Sequence, residues 1–125
     1  MKRFTVLFVL ALAGTAAANA YLDNKKTVTH DCAKDPEAAV EGNANTITFT
    51  GTCERISADG NENKLNIESV KVLDLRGNKN TAVVGAVDAI HASGNDNKAT
   101  WTKGISGKAP KVASPGSRNK IGSAK

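Results

Sequence analysis

The stretch GNANTITF, residues 42–49, recurs along the chain with its opening Gly-Asn-x-Asn. It returns as GNENKLNI from Gly60, GNKNTAVV from Gly77 and GNDNKATW from Gly94, and in a degenerate form as GSRNKI from Gly116. Successive glycines are 18, 17, 17 and 22 residues apart, and a fixed period of this order is typical of repeat architectures. The sequence therefore predicts a stack of similar units.

Apolar residues occupy the same phases of each repeat, and polar residues mostly separate them, which is the period of a half-buried strand. Two such phases follow each Gly and three precede the next one. Their members are Ile47, Leu65, Ala82, Ala99 and Ile121; Phe49, Ile67, Val84 and Trp101; Cys53, Val70, Val87 and Ala109; Ile56, Leu73, Ile90 and Val112; and Ala58, Leu75, Ala92 and Ser114. Each repeat is thus predicted to hold two short strands. An antiparallel meander is the alternative, but it would not require matching phases. The columns favour an all-β solenoid of four to five coils, each about 17 residues long, in which neighbours bury one another's apolar faces.

The Gly-Asn-x-Asn corner itself is expected to turn sharply, and Gly and Asn are the residues that adopt positive φ at least cost. Stacked in register, the asparagines would form amide ladders from coil to coil. The two predicted columns are Asn43, Asn61, Asn78 and Asn95, and Asn45, Asn63, Asn80, Asn97 and Asn119. Binding of a ligand such as a sugar by these amides is the alternative to a structural role.

The segment DNKKTVTH resembles a degenerate first coil, with Asp23 in the Gly position, Val28 matching Ile47 and His30 matching Phe49. This alignment puts Cys32 close to Cys53 on the next coil. Two cysteines on adjacent coils of an exported chain predict one disulfide that fastens an N-terminal cap.

The first twenty residues, MKRFTVLFVLALAGTAAANA, have a basic start, a short apolar run and a small-x-small ending. This pattern predicts a secretory signal peptide cleaved before Tyr21, and the apolar run is too short for a membrane anchor. The expected organisation is a signal peptide (1–20), a cap or degenerate first coil (21–41), a repeat solenoid (42–115) and a degenerate last coil with a C-terminal tail (116–125). A secreted or periplasmic bacterial protein follows from this reading.

The charge balance is mild, because loss of Lys2 and Arg3 lowers the formal charge from +5 to +3. This value gives no reason to expect a nucleic-acid partner. The basic residues from Lys103 onward are interpreted as a solvated or frayed tail rather than a binding patch. Together with Pro110 and Pro115 they predict a monomer whose C-terminal edge resists stacking.

Catalytic and metal-binding patterns are weak. His91 is expected to face outward, and the THDC stretch at His30, Asp31 and Cys32 lacks a second ligand cluster of zinc-like spacing. Glu62 and Asp96 are too few for a calcium-binding repeat. The outward Thr rows are too broken for an ice-binding face. No catalytic residue, cofactor or metal is therefore predicted.

The stretches HDCAKDPEAAVEGNANTITFTGTC and PKVASPGSRNKI, with the repeated Gly-Asn-x-Asn, resemble the bacterial secreted family known as domain of unknown function 3060. The resemblance covers nearly all of the chain after Tyr21 and implies an exported repeat protein without an assigned activity. The chain departs from the tidier pattern at Ala82, Ala99 and Gly122. We expect a non-enzymatic structural or interaction module of unknown partner, with a cell-wall or surface glycan or another exported protein as the candidates. The alternatives are a carbohydrate-binding module with an outward Thr/Asn/Lys face and, further away, a curli-like amyloid subunit.

Overall fold

The computed structural model describes residues 19–124, and these residues form a parallel β-solenoid without helices. The strands, numbered here in chain order, are β1 Asn19–Tyr21, β2 Thr27–Asp31, β3 Glu37–Val40, β4 Thr46–Ala58, β5 Lys64–Leu75, β6 Thr81–Ala92, β7 Lys98–Lys103, β8 Lys111–Ala113 and β9 Lys120–Ser123. The predicted signal peptide lies outside the described residues except for Asn19 and Ala20, which begin β1. None of the described residues forms a helix that could cross a membrane.

Every pair of neighbouring strands is parallel and in the register that the repeats predict. Ile47 lies over Leu65, Leu65 over Ala82, and Ala82 over Ala99. The predicted all-β solenoid is thereby confirmed, with about six turns where four to five were expected. We number the coils 1 to 6 by their first residues, which are Asp23, Gly42, Gly60, Gly77, Gly94 and Gly116.

The first coil accounts for part of the additional length. β2 pairs with β4 and sets Val28 against Ile47 and His30 against Phe49. β3 pairs with the second half of β4, and β1 in turn pairs with β3. The disulfide between Cys32 and Cys53 joins coil 1 to coil 2, with 4.9 Å between the two Cα atoms, so the predicted bridge is confirmed.

The core is a column of aliphatic residues enclosed by the coils. The apolar phases of coils 2 to 4 are buried throughout, from Ile47 to Ala92. Three residues expected to point inward in coil 5 are exposed instead: Ala109, Val112 and Ser114. Val112 lies in register over Ile90, so its phase was correct. It is 45% exposed because β8 pairs only with β6, among the described strands, and no strand covers it from above.

Two of the four spacings between corner glycines depart from 17 residues for local reasons. The extra residue of coil 2 is absorbed at a β-bulge between Phe49 and Thr52, where Gly51 has a φ of 79°. A residue with positive φ is typical of such bulges. The longer coil 5 carries the loop between β7 and β8, which includes Gly107 at a φ of 88°. Both insertions leave the strand register of the flanking coils unchanged.

Candidate functional site

The left-handed residue of each corner is the variable one. Ala44, Glu62, Lys79 and Asp96 have φ between 58° and 60°, whereas the corner glycines do not have positive φ. The expectation that Gly or Asn adopts this conformation is therefore wrong. The stacking holds the strained residue in place, because its N–H donates to the next coil, as from Glu62 to the carbonyl of Asn78 at 3.0 Å.

The corner glycines are required because the backbones of successive coils approach closely there. A Cβ on Gly60 would lie 1.7 Å from the carbonyl oxygen of Gly42, and one on Gly77 would lie 1.7 Å from that of Gly60. Real Cβ atoms do not come this close to a backbone oxygen, so glycine here provides space. The same contact recurs at Gly94 and Gly116, at 1.8 Å each.

The inner asparagine column bonds to the backbone. Asn80 is fully buried; its Oδ1 accepts the N–H of Asn63 at 2.9 Å and its Nδ2 donates to the carbonyl of Gly60 at 2.9 Å. Both groups belong to the preceding coil. Asn45, Asn63, Asn97 and Asn119 repeat the arrangement. These side chains satisfy buried backbone groups that the corner leaves without strand partners.

The outer asparagine column forms a side-chain ladder on the surface. The Nδ2 of Asn61 donates to Oδ1 of Asn43 at 3.2 Å, and that of Asn78 donates to Oδ1 of Asn61 at 3.2 Å. Each Oδ1 also accepts a backbone N–H from the next coil, such as that of Asn95 on Asn78 at 3.0 Å. The column begins one coil earlier than the repeats indicated, with Asn24 under Asn43.

A shallow groove of about 430 Å³ runs along this outer ladder, lined also by the left-handed residues. Near its end the guanidinium of Arg118 forms a bidentate pair with Asp96, at 2.7 and 2.9 Å. Hydrogen bonding from Arg118 holds the pKa of the Asp96 carboxyl below its ordinary value of 3.8. The groove therefore combines amide groups with charges of both signs.

The outward Thr/Asn/Lys face contains two more shallow depressions. One, of about 380 Å³, is lined by Thr48, Asn66 and Val83, among others. It adjoins a second, of about 460 Å³, that extends past Gly85 to Ile105. Val83 is 52% exposed, so this face presents an apolar centre with hydroxyl and amide groups beside it.

His30 is buried in coil 1 with both ring nitrogens bonded. Nδ1 lies 2.6 Å from the hydroxyl of Tyr21, and Nε2 lies 2.7 Å from the carbonyl oxygen of Asp35. A carbonyl only accepts, so Nε2 donates to it; in the neutral ring Nδ1 then accepts the tyrosine hydrogen. Burial, and then the Asp35 carboxylate, raise the pKa of Tyr21 above 10.0. His30 thus joins β1 to the loop after β2 within coil 1, and its ring lies 5.5 Å from that of Phe49 in coil 2.

A charged cluster on the outer side of β4, β5 and β6 was not predicted from the sequence. Asp74 is 3% exposed although it lies between two inward leucines. Arg55 donates to its Oδ2 from Nε and Nη2 at 3.0 and 2.7 Å, and Arg76 lies 3.8 Å away. The Nδ1 of His91 lies 3.8 Å from Oδ1. His91 faces outward as expected. Only the coil register, which places Asp74 next to Ser57 and His91, could have indicated the cluster.

The described part of the chain contains neither a free cysteine nor a cluster of metal-binding side chains. The two cysteines are joined in the disulfide. Across residues 19–124, no three His, Cys, Asp or Glu side chains are placed so that they could hold a metal ion.

Comparison of the sequence with known proteins identifies the family of this chain. No curated protein and no solved structure shows significant similarity to this chain. The profile of the family described as protein of unknown function (DUF3060) matches residues 40–83 and again residues 72–118. The two matches overlap, as expected for a repeat, and together span more than half of the sequence. The chain belongs to the DUF3060 family.

Proposed function

We propose that the protein is an exported, non-enzymatic interaction module. The observation that carries this proposal is that the histidine, cysteine and aspartate side chains best suited to catalysis are engaged in bonds that hold the fold together. His30 has both ring nitrogens bonded, and Cys32 and Cys53 are oxidised. Asp74 is neutralised by Arg55. What the solenoid presents outward is a surface of side chains that repeat in rows from coil to coil.

Export is supported by the N-terminal sequence and by the disulfide, because disulfides persist mainly in oxidising compartments. The test is the N-terminus of the protein recovered from periplasm and culture medium. Mass spectrometry should find a chain that begins at Tyr21 with both thiols blocked. A cytosolic chain that keeps Met1 would contradict the proposal.

A carbohydrate-binding module is the second candidate, favoured by the depression around Val83. Sugars present apolar C–H faces bordered by hydroxyl groups, and binding sites commonly combine apolar contacts with a few placed polar groups. Here Val83 supplies the apolar contact, and Thr48 and Asn66 supply the hydroxyl and the amide.

A glycan array together with a cell-wall pull-down tests this candidate. Val83→Lys changes the depression, and Val112→Lys is the matched control, because Val112 is similarly exposed and lies in β8. Saturable binding that is lost in V83K and kept in V112K would establish the carbohydrate site. Binding unaffected by V83K would exclude this face, and thioflavin-positive fibres of the intact protein would favour the amyloid alternative.

A further inference from the structure

Both ends of the solenoid present open parallel strands. At the C-terminal end, β9 covers only the first half of coil 5, and β8 has no described strand above it. At the N-terminal end, β1 lies beneath only the second half of coil 1. A second copy placed above coil 6 would set its β2 over β9. The cleavage proposed before Tyr21 would leave only the last residue of β1 on that copy, so β8 would stay largely uncovered. Such open parallel edges are templates for pairing with another chain.

Each junction between coils inside the protein follows two rules. The first residue of the upper corner has no Cβ, because the carbonyl oxygen below it occupies that space, as under Gly77. The fourth residue is an asparagine that accepts a backbone N–H from the coil below and donates to a carbonyl there, as Asn80 does. Both rules hold at the corners that begin coils 2 to 6.

Coil 1 breaks both rules. Asp23 occupies the glycine position, and its carbonyl lies directly under Gly42. Lys26 occupies the position of the inner asparagine, since its N–H donates to Oδ1 of Asn45. A coil placed beneath coil 1 would therefore meet the Cβ of Asp23 with its own carbonyl oxygen. Its buried N–H would find no acceptor at Lys26, because an ammonium group only donates.

We propose that Asp23 and Lys26 close the N-terminal end of the solenoid to a second copy of this chain. Head-to-tail growth would bring the carbonyl of Gly116 in one copy against Asp23 of the next, and the N–H of Asn119 against Lys26. The stop thus lies in the first corner.

The sequence pattern had placed the block in the C-terminal tail. In the structure, residues of that region form β8 and β9 in register with β6 and β7. The last corner also keeps the spacing of the others, because Asn119 bonds to coil 5 through both Oδ1 and Nδ2. The C-terminal end is therefore a regular surface, and the mismatch comes from the coil that would have to dock on it.

Charge reinforces the stop. The left-handed residues of successive corners lie close enough to interact, as the pair between Arg118 and Asp96 demonstrates. In a head-to-tail pair, Lys25 of one copy would occupy the place next to Arg118 of the other. Two like charges at this spacing repel, and salt screens the repulsion between exposed groups.

The experiment restores both rules in the exported chain, with its N-terminus established by mass spectrometry. The variant is Asp23→Gly with Lys26→Asn. Its matched control is Asp23→Asn with Lys26→Asn, which has the same net charge and the same new asparagine but keeps a Cβ at position 23. Sedimentation velocity over a concentration series gives the weight-average mass of each, and circular dichroism checks the fold.

The wild type and the control should remain monomeric throughout. D23G/K26N should form trimers and longer oligomers, so its weight-average mass should at least double within the concentration range where the wild type is a monomer. Added salt should increase this association. A continuous series of oligomer sizes is expected, because this head-to-tail contact is heterologous and does not close into a ring.

Assembly of the wild type, equal assembly of the control, a closed dimer that grows no further, or a monomeric D23G/K26N would each overturn the proposal. If the double variant does not keep the wild-type circular dichroism spectrum, the same comparison is made between Asp23→Gly and Asp23→Asn. D23G should then associate more strongly than D23N, and equal behaviour would reject the steric stop.

Discussion

The inner asparagine column should carry far more stability than the outer one, and Asn80→Ala against Asn78→Ala tests this. The two residues belong to the same corner and have the same chemistry. Asn80 is 0% exposed and bonds to two backbone groups of the preceding coil. Asn78 bonds to Asn61 and Asn95 at the surface.

The magnitudes follow from what each truncation leaves behind. Asn80→Ala strands the N–H of Asn63 and the carbonyl of Gly60 in the interior, and each unsatisfied buried group costs about 1–3 kcal/mol. The expected loss is therefore about 2–6 kcal/mol, a large part of the roughly 5–15 kcal/mol that stabilises a typical domain. Asn78→Ala frees groups that water can bind, so its cost should stay near 1 kcal/mol or below.

Urea denaturation with the disulfide intact measures both values, with Trp101 fluorescence and circular dichroism as probes. The comparison requires equal m-values, because the free energies are extrapolated linearly. If the two variants lie within 0.5 kcal/mol of each other, roughly the scatter of surface substitutions, the buried hydrogen bonds of Asn80 do not contribute as argued.

Three further outcomes are expected. Gly77→Ala should prevent folding or destabilise the protein severely, because the new Cβ would lie 1.7 Å from a backbone oxygen. In Gly107→Ala the new Cβ meets no atom within 4 Å, so this variant should lose only the roughly 1–2 kcal/mol that a left-handed alanine costs. Equal melting temperatures of the two variants would refute the close-approach argument. Reduction of the bridge between Cys32 and Cys53, or its replacement by two serines, should lower the free energy of unfolding by roughly 3 kcal/mol, and an unchanged urea midpoint would show that the cap needs no fastening. Because the folded-state pKa of Tyr21 is raised, the stability due to this group is constant at lower pH and should fall as the pH rises above about 10; Tyr21→Phe should remove that part of the decline, and a tyrosine absorbance titration identical to that of the unfolded chain would contradict the shift.

Much of the fold followed from the sequence because a solenoid repeats one local solution. The Gly-Asn-x-Asn corners gave the period, and the inward columns from Ile47 to Ala92 gave the phase of every central strand. Alignment of the first coil on the second was enough to bring Cys32 next to Cys53. The cause is that in-register parallel stacking turns a fixed sequence separation directly into a spatial contact.

The chemistry of the corner could not be obtained in the same way. The sequence showed that Gly and Asn recur, and conformational preference suggested positive φ for them. The left-handed residue is instead the variable one, such as Glu62 or Lys79, because its N–H must reach the coil above. The need for glycine arises from a carbonyl in another coil, and no property of a single repeat reveals how closely two repeats approach.

The sequence by itself therefore determined the periodicity, the inward and outward faces of coils 2 to 4, the disulfide and the order of the coils. The tertiary structure alone decided which asparagine column is buried, that Asp74 pairs with Arg55 of the coil below, and that Val112 remains exposed at an open end. It also showed that the glycine position of every later coil faces a carbonyl oxygen of the coil below, which is why Asp23 at that position matters. The physical reason is that periodicity is written along one chain segment, whereas burial, close approach and the matching of ends depend on contacts between segments.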